Sequence, residues 1–287
     1  MRSARTAQPL RRRSPHLRRY FEPAAPAPPS GQCTITNAGN TNSVITTSGS
    51  SPATVTFPNA LTPGSVLIVT VTAWDQNQGG IATPTDTGSH TWHAVAAERS
   101  IGVQPEVRMR TWWAANASSA SSVQISASVS SVNVGNNWYF VCISEWNGVD
   151  LVTTVIDETG NNQAATSAAP ATVAMDPGTE DACLFYGFAV WQGAGAADDN
   201  LAAVGPATEL AHSDDWANSV TGGAAYVIAS LSDTTDTAIG WTLATSRQWA
   251  ADGFALLPAQ TCGAAAFSPP YRRKHRMVPI SAKKRMS

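Results

Sequence analysis

Short apolar runs rich in β-branched and aromatic residues alternate along the middle of this chain with turns built from Gly, Pro, Asn and Asp. The spacing predicts strands over Thr54–Phe57, Ser65–Trp74, Val107–Trp113, Val123–Ala127 and Trp138–Ile143. It predicts more over Thr172–Met175, Ala182–Trp191, Ala225–Ala229, Ala238–Leu243 and Trp249–Leu257. No stripe of helical period is evident, so the fold class read here is all-β, a β-sandwich or jelly-roll-like body. Asp75–Gly80, Asn133–Asn137, Asp157–Asn162 and Asp198–Asn200 read as loop tips, because their residues tolerate the tight backbone a turn needs.

The pattern occurs twice. Pro63-Gly64 and the run ending at Trp74 are echoed by Pro177-Gly178 and the run ending at Trp191, and Trp138 is echoed by Trp249. The offsets are 114, 117 and 111 residues at Pro63/Pro177, Trp74/Trp191 and Trp138/Trp249, and they define pseudo-repeats of about 44–149 and 165–258. No linker-like stretch separates them, which favours one continuous body; one intertwined sandwich and two tandem ones both fit the sequence.

Charge changes this picture at the two ends of the 287 residues. Residues 1–30 hold seven Arg against one acid, and residues 263–287 hold seven Lys or Arg and no acid. The 31–262 body between them has only Arg99, Arg108, Arg110 and Arg247 against nineteen acids, and no Lys. Segments this basic and this poor in apolar residues cannot bury enough surface to fold alone, and they should stay mobile until an anionic partner neutralises them. The first runs into the spacer Pro23-Ala-Ala-Pro-Ala-Pro-Pro29, of polyproline type. The expected organisation is therefore a basic, Pro-rich N-terminal arm (1–30), the duplicated body (31–262) and a basic C-terminal arm (263–287).

The first thirty residues lack the apolar stretch of a secretory signal, and no run of eighteen apolar residues exists to span a bilayer. No membrane partner is expected. Cys142 and Cys183 sit in apolar runs and read as core residues. Cys33 and Cys262 bracket the body and would form a disulfide if its two ends are adjacent.

Three local features carry a family resemblance: Pro63–Val71 through Trp74, the turn Asp86-Thr-Gly-Ser-His-Thr-Trp92, and Glu145-Trp-Asn-Gly-Val149. Together they resemble the β-sandwich modules that recur in virion proteins of tailed phages and in bacterial surface proteins. There a D-x-x-G-N-x-W/Y turn and an E-Y-S-G-V strand end are typical. This chain departs from that pattern at Ser89 and His90, where Gly and Asn are usual, and at Trp146 and Asn147, where Tyr and Ser are usual. The resemblance covers most of residues 45–258 and implies a structural or adhesive role in a virion assembled in the host cytoplasm.

Candidate chemistry adds little to that. Trp74, Trp138, Trp191 and Trp249 recur in both repeats and read as core; of Trp112 and Trp113, adjacent on a strand, one should be exposed or at an interface. His90 and His93 beside Asp86 form at most a fragment of a metal site, and no metal or other cofactor is expected. Glu98, Glu106, Glu145, Asp150 and Asp157 read as a solvated anionic surface. No nucleophile elbow, P-loop or zinc-protease motif occurs, so the chain is read as no enzyme.

Partner binding is assigned to the arms. Arg11, Arg12, Arg13, Arg18 and Arg19, with Tyr20 and Phe21 as apolar anchors, form one attachment; Arg272, Arg273, Lys274 and Arg276, with Tyr271, form the other. Guanidinium forks suit acidic faces of other virion proteins or of further copies of this chain. Two alternatives stay open: nucleic acid bound by the arms in a packaging role, and a glycan bound by the Trp-rich body.

Overall fold

The inner strands of this protein's large sheets are apolar at both odd and even positions, and the architecture shows why. A computed structural model describes residues 33–46, 52–75, 79–102, 106–116, 119–129, 138–151, 156–160, 165–167, 173–175, 183–191, 202–204, 207–215, 220–228, 237–242 and 246–259. All of these belong to one unit, Gly31–Ser287; Met1–Ser30 is a separate one.

Strands occur throughout the described residues and no helix does. The first half contributes β1 (Thr36–Thr46), β2 (Ala53–Thr56), β3 (Val66–Asp75), β4 (Thr85–Asp86), β5 (His93–Ala94), β6 (Arg99–Ile101), β7 (Glu106–Ala115), β8 (Gln124–Ala127) and β9 (Trp138–Asn147). The second contributes β10 (Ile156–Gly160), β11 (Ala165–Ser167), β12 (Val173–Met175), β13 (Cys183–Trp191), β14 (Ala202–Val204), β15 (Thr208–Asp215), β16 (Val220–Ile228), β17 (Thr237–Thr242) and β18 (Arg247–Leu256).

Every pairing between these strands is antiparallel, and the strand order repeats. In the first half a large sheet runs β1-β9-β3-β7-β5, with β6 also on β7, and a small one runs β2-β8-β4. In the second half the large sheet runs β10-β18-β13-β16-β15, with β11 also on β18, and the small one runs β12-β17-β14. In each half the chain passes back and forth between its two sheets and its first and last strands lie side by side, a jelly-roll-like sandwich.

The two large sheets pack on each other, which makes four layers. Val66, Ile68, Met109, Phe140, Cys142 and Trp146 of the first half share one core with Cys183, Phe185, Ala189, Ala224, Phe254 and Leu256 of the second. The opposite face of β3, with Leu67, Val69, Val71 and Ala73, joins Val55, Phe57, Ile125 and Tyr139 in a core inside the first sandwich. A strand buried on both faces has no polar alternation to keep, hence the unbroken run from Val66 to Trp74.

The sheets approach closely at the middle of the seam. A Cβ on Gly222 would fall 2.7 Å from Thr72 Oγ1 and 2.8 Å from Phe188 O; one on Gly187 would fall 3.0 Å from Thr70 Cγ2. Thr70 and Thr111 face Gly187 with their hydroxyls 3.2 Å apart.

One matched pair from the sequence shifts here. Trp74 pairs with Trp138 across β3 and β9, whereas Trp191 pairs with Gln248 across β13 and β18. Gln248 therefore occupies the place of Trp138, and Trp249 lies one position along. A slip of one residue turns a strand side chain to the other face. Trp138 packs against the shared core, while Trp249 is absent from it. A second correction concerns Asp157–Gly160, read as a loop tip, which lies in β10 and pairs with β18.

Candidate functional site

Two of the three local features singled out in the sequence, the Asp86–Trp92 turn and the Glu145–Val149 strand end, are built as polar locks. In the turn after β4, Asp86 is an acceptor for the whole loop: Gly88 N–H donates to Oδ1 (2.6 Å), His90 N–H to Oδ2 (3.2 Å) and the Trp92 indole N–H to Oδ2 (2.7 Å). His90 Nδ1 lies 2.9 Å from Asp86 Oδ1, and His90 Nε2 lies 3.2 Å from Asn116 Oδ1. Asn116 donates its amide to Thr62 O (2.7 Å) and Ser65 Oγ (3.2 Å), which turns its oxygen toward the imidazole. Both ring nitrogens thus face side-chain oxygens. Ser89 has φ +60°, the left-handed conformation that Gly takes without strain. His93 stands apart, exposed and stacked on Trp113 at 4.6 Å.

The second motif fastens the halves. Glu145 is buried; its Oε1 accepts from Thr62 N–H (2.6 Å) and its Oε2 from the Asn40 amide (2.7 Å). Trp146, next to it and wholly buried, donates to Ser144 Oγ (2.9 Å) and packs edge-on against Phe185 and Tyr226 of the second half. Gly148 has φ +79°, and a Cβ there would come 2.4 Å from Thr34 O.

The acids of the body are therefore not all a solvated surface, which corrects the reading of Glu98 and Glu145. Glu98 pairs with Arg108 (2.5 Å), and its other oxygen accepts from Ile81 N–H. Asp252, also interior, pairs with Arg99 at 3.0 Å. Burial raises the Asp252 carboxyl above its ordinary value, against the lowering effect of the Arg99 hydrogen bond and the Arg99 and Arg110 charges. Glu106 and Asp157 have backbone places on β7 and β10 but side chains outside the described set.

Tryptophan offers no open platform among the described side chains. Trp74, Trp112, Trp146, Trp241 and Trp249 are buried, and Trp92, Trp113 and Trp138 are partly so. Trp112 turns into the first sandwich under Arg110, while its neighbour Trp113 packs against the shared core.

A shallow groove of about 400 Å³ opens where β1 meets β15 and β16, a place no local sequence signal marks. A bulge between Asn37 and Thr41 shapes one wall, with Gly39 at φ +68° and its N–H donating to Asn37 Oδ1 (2.8 Å). Thr208, Glu209, Leu210 and Tyr226 form the rest. The lining is amide, hydroxyl, phenol and one carboxylate, with Leu210 as its aliphatic side chain and no cation among these residues.

Arg11, Arg12, Arg13, Arg18, Arg19, Tyr20, Phe21, Tyr271, Arg272, Arg273, Lys274 and Arg276 all lie outside the described residues. Cys33 is disulfide-bonded, Cys142 and Cys183 are free thiols, and Cys262, the fourth cysteine, lies outside the described residues. No helix among the described residues is long and apolar enough to cross a membrane. No protein-family model, curated protein or solved structure matches this chain.

Proposed function

We propose that this protein is a non-enzymatic structural component of a tailed-phage virion, a head-decoration or tail-associated subunit held to its neighbours by Arg-rich arms. The observation that carries the reading is where the charge lies and how it is used. Fourteen of eighteen Lys and Arg residues fall in 1–30 and 263–287, leaving four for a body of nineteen acids. Two of those four, Arg99 and Arg108, pair with Asp252 and Glu98 within the fold. That leaves seventeen acids of the body against Arg110 and Arg247, and in this reading the arms of a neighbour supply the balance as planar guanidinium forks. A duplicated sandwich fused through one core suits a displayed, rigid part.

The test is incorporation into particles, followed by sedimentation of nuclease-treated protein at low and high salt. Chains whose arm Arg and Lys residues are changed to Gln should fail to incorporate, and the parent should form oligomers that salt disperses. Normal incorporation of the neutralised chain would sink the proposal. Association of the parent only on added DNA would move the role to genome packaging.

The groove supports a second reading, a carbohydrate-binding surface module. Neutral hydrogen-bonding side chains, one carboxylate and the Tyr226 ring suit a polyhydroxylated ligand better than an anionic one. A glycan array and titrations at millimolar sugar test it: binding lost in Glu209→Gln supports it, and no binding at that concentration removes it.

A further inference from the structure

The two ends of the body run side by side. Cys33 N–H donates to Ala259 O (2.8 Å), and Ala259 N–H donates to Gly148 O (2.8 Å). Val149 bridges Pro258, and Asp150 N–H donates to Leu257 O (2.9 Å). The chain thus enters the body at Cys33 and leaves it after Ala259 at one place, although 226 residues of sequence separate those positions.

The cysteines tighten this. Cys33 is buried and disulfide-bonded, and Cys142 and Cys183 are free and lie in the shared core. Cys262 remains, three residues beyond Ala259, a stretch of chain that reaches at most about 10 Å. Since Ala259 hydrogen-bonds to Cys33 itself, that reach covers the separation of about 4–7 Å between Cα atoms that a disulfide requires.

We infer that Cys33 and Cys262 are bonded to each other, so that both basic segments spring from one stapled root and act as a single bivalent attachment on the acidic body of a second copy of this chain. This rests on the assembly reading above and adds the geometry of the contact. Seven cations precede the root and seven follow it. Once one segment has engaged a neighbour, the other is held near the same surface, and its binding becomes intramolecular, with an effective concentration near millimolar. A second copy is the occupant because every copy carries both complements, the basic root and a body with nineteen acids and four Arg.

The experiment uses the full-length, nuclease-treated chain. Peptide mapping without reductant should recover Cys33 linked to Cys262; any other pairing overturns the inference. Sedimentation at low salt then compares the parent with three variants. Two replace charge: R11Q/R12Q/R13Q/R18Q/R19Q, and R272Q/R273Q/K274Q/R276Q. The third, C33S/C262S, keeps every charge and removes the staple. Neutralising either segment should weaken self-association by about a hundredfold or more, the size of a lost second attachment. C33S/C262S should weaken it too, by about tenfold, with its near-ultraviolet circular dichroism unchanged.

If each neutralised chain loses less than about tenfold, or keeps its affinity and only binds fewer neighbours, the segments act separately. The inference then fails while the assembly reading stands. If neither neutralisation changes association, both fail. If the parent associates only when duplex DNA is added, the occupant is nucleic acid, and the choice of a second copy is overturned.

Discussion

Arg99 and Asp252 meet across the seam between the two sandwiches, Nε to Oδ1 at 3.0 Å, with the aspartate side chain 1 % exposed and the arginine 21 %. One carboxylate oxygen, Oδ2, has no partner in this interior setting. Desolvation outweighs the help of Arg99 and Arg110 and raises the carboxyl above its ordinary 3.8. The folded protein therefore holds this proton more tightly than the unfolded chain does. The stability this group contributes is fully present below the unfolded value and is lost as pH rises through the raised folded value. Asp252→Asn removes that dependence and keeps an oxygen for Arg99. Relative to the parent, its stability should rise as pH climbs from about 3 to 7. Urea unfolding of both proteins across that range checks it, and a difference that is flat or falling would refute it.

Gly222 and Gly187 let the large sheets touch, and they should respond differently to one added methyl group. At Gly222 the new carbon meets both Thr72 Oγ1 and the carbonyl of Phe188, and the latter, as backbone, cannot rotate away. At Gly187 the nearest atoms are side-chain atoms of Thr70 and Thr111 at 3.0 Å and beyond. Gly222→Ala should lose about 1–3 kcal/mol, the usual range for overpacking, and Gly187→Ala clearly less. Chemical denaturation of the two variants decides it; equal losses would mean that the seam gives at both places.

How much of this was legible in the sequence depends on the place of a strand in its sheet. β3, β7, β9, β13, β16 and β18, inner strands of the large sheets, were all visible as β-branched and aromatic runs. The eight that the pattern did not mark, β1, β4, β5, β6, β10, β11, β14 and β15, are all edge strands. An edge strand pairs on one side only, so Thr36–Thr46 can be mostly Thr, Asn and Gly and still belong to the sheet. The turn at Asp86–Trp92 was legible as a motif. The partnership of His90 with Asn116 was not, because it joins positions 26 residues apart. The groove draws on β1 and on β15–β16, about 170 residues later, and leaves no local trace. Glu98 and Glu145 were misread because composition says nothing of which acids face inward.

The Asp86 lock makes a sharper expectation for stability than for binding. Removing the carboxylate in Asp86→Ala strands the Gly88 and His90 amides, the Trp92 indole and the His90 ring, in a place where the Asp86 side chain is 1 % and the His90 side chain 5 % exposed. A loss of about 1–3 kcal/mol is expected, the usual cost of leaving hydrogen-bonding groups without their partner in a shielded place. His90→Asn keeps the backbone contact and should cost about 1 kcal/mol. Thermal unfolding followed by tryptophan fluorescence reads both; a loss under about 1 kcal/mol for Asp86→Ala would mean that water replaces the carboxylate and the turn is not locked.

Thiol chemistry gives the most direct check on the core and the ends together. Cys142 is 1 % exposed and Cys183 fully shielded, and both are free. Burial pushes the Cys142 thiol up to about 12 and the Cys183 thiol up as well, so neither presents a thiolate near neutral pH. Only the thiolate attacks a disulfide reagent, and the shared core keeps the reagent out. The native chain should therefore show no fast-reacting thiol. Unfolded without reductant it should show two, and unfolded after reduction all four cysteines of the sequence. Fast reaction in the native state would mean that the seam between the sandwiches opens. Four thiols on unfolding without reductant would mean that Cys33 is not bonded, and the stapled root would go with it.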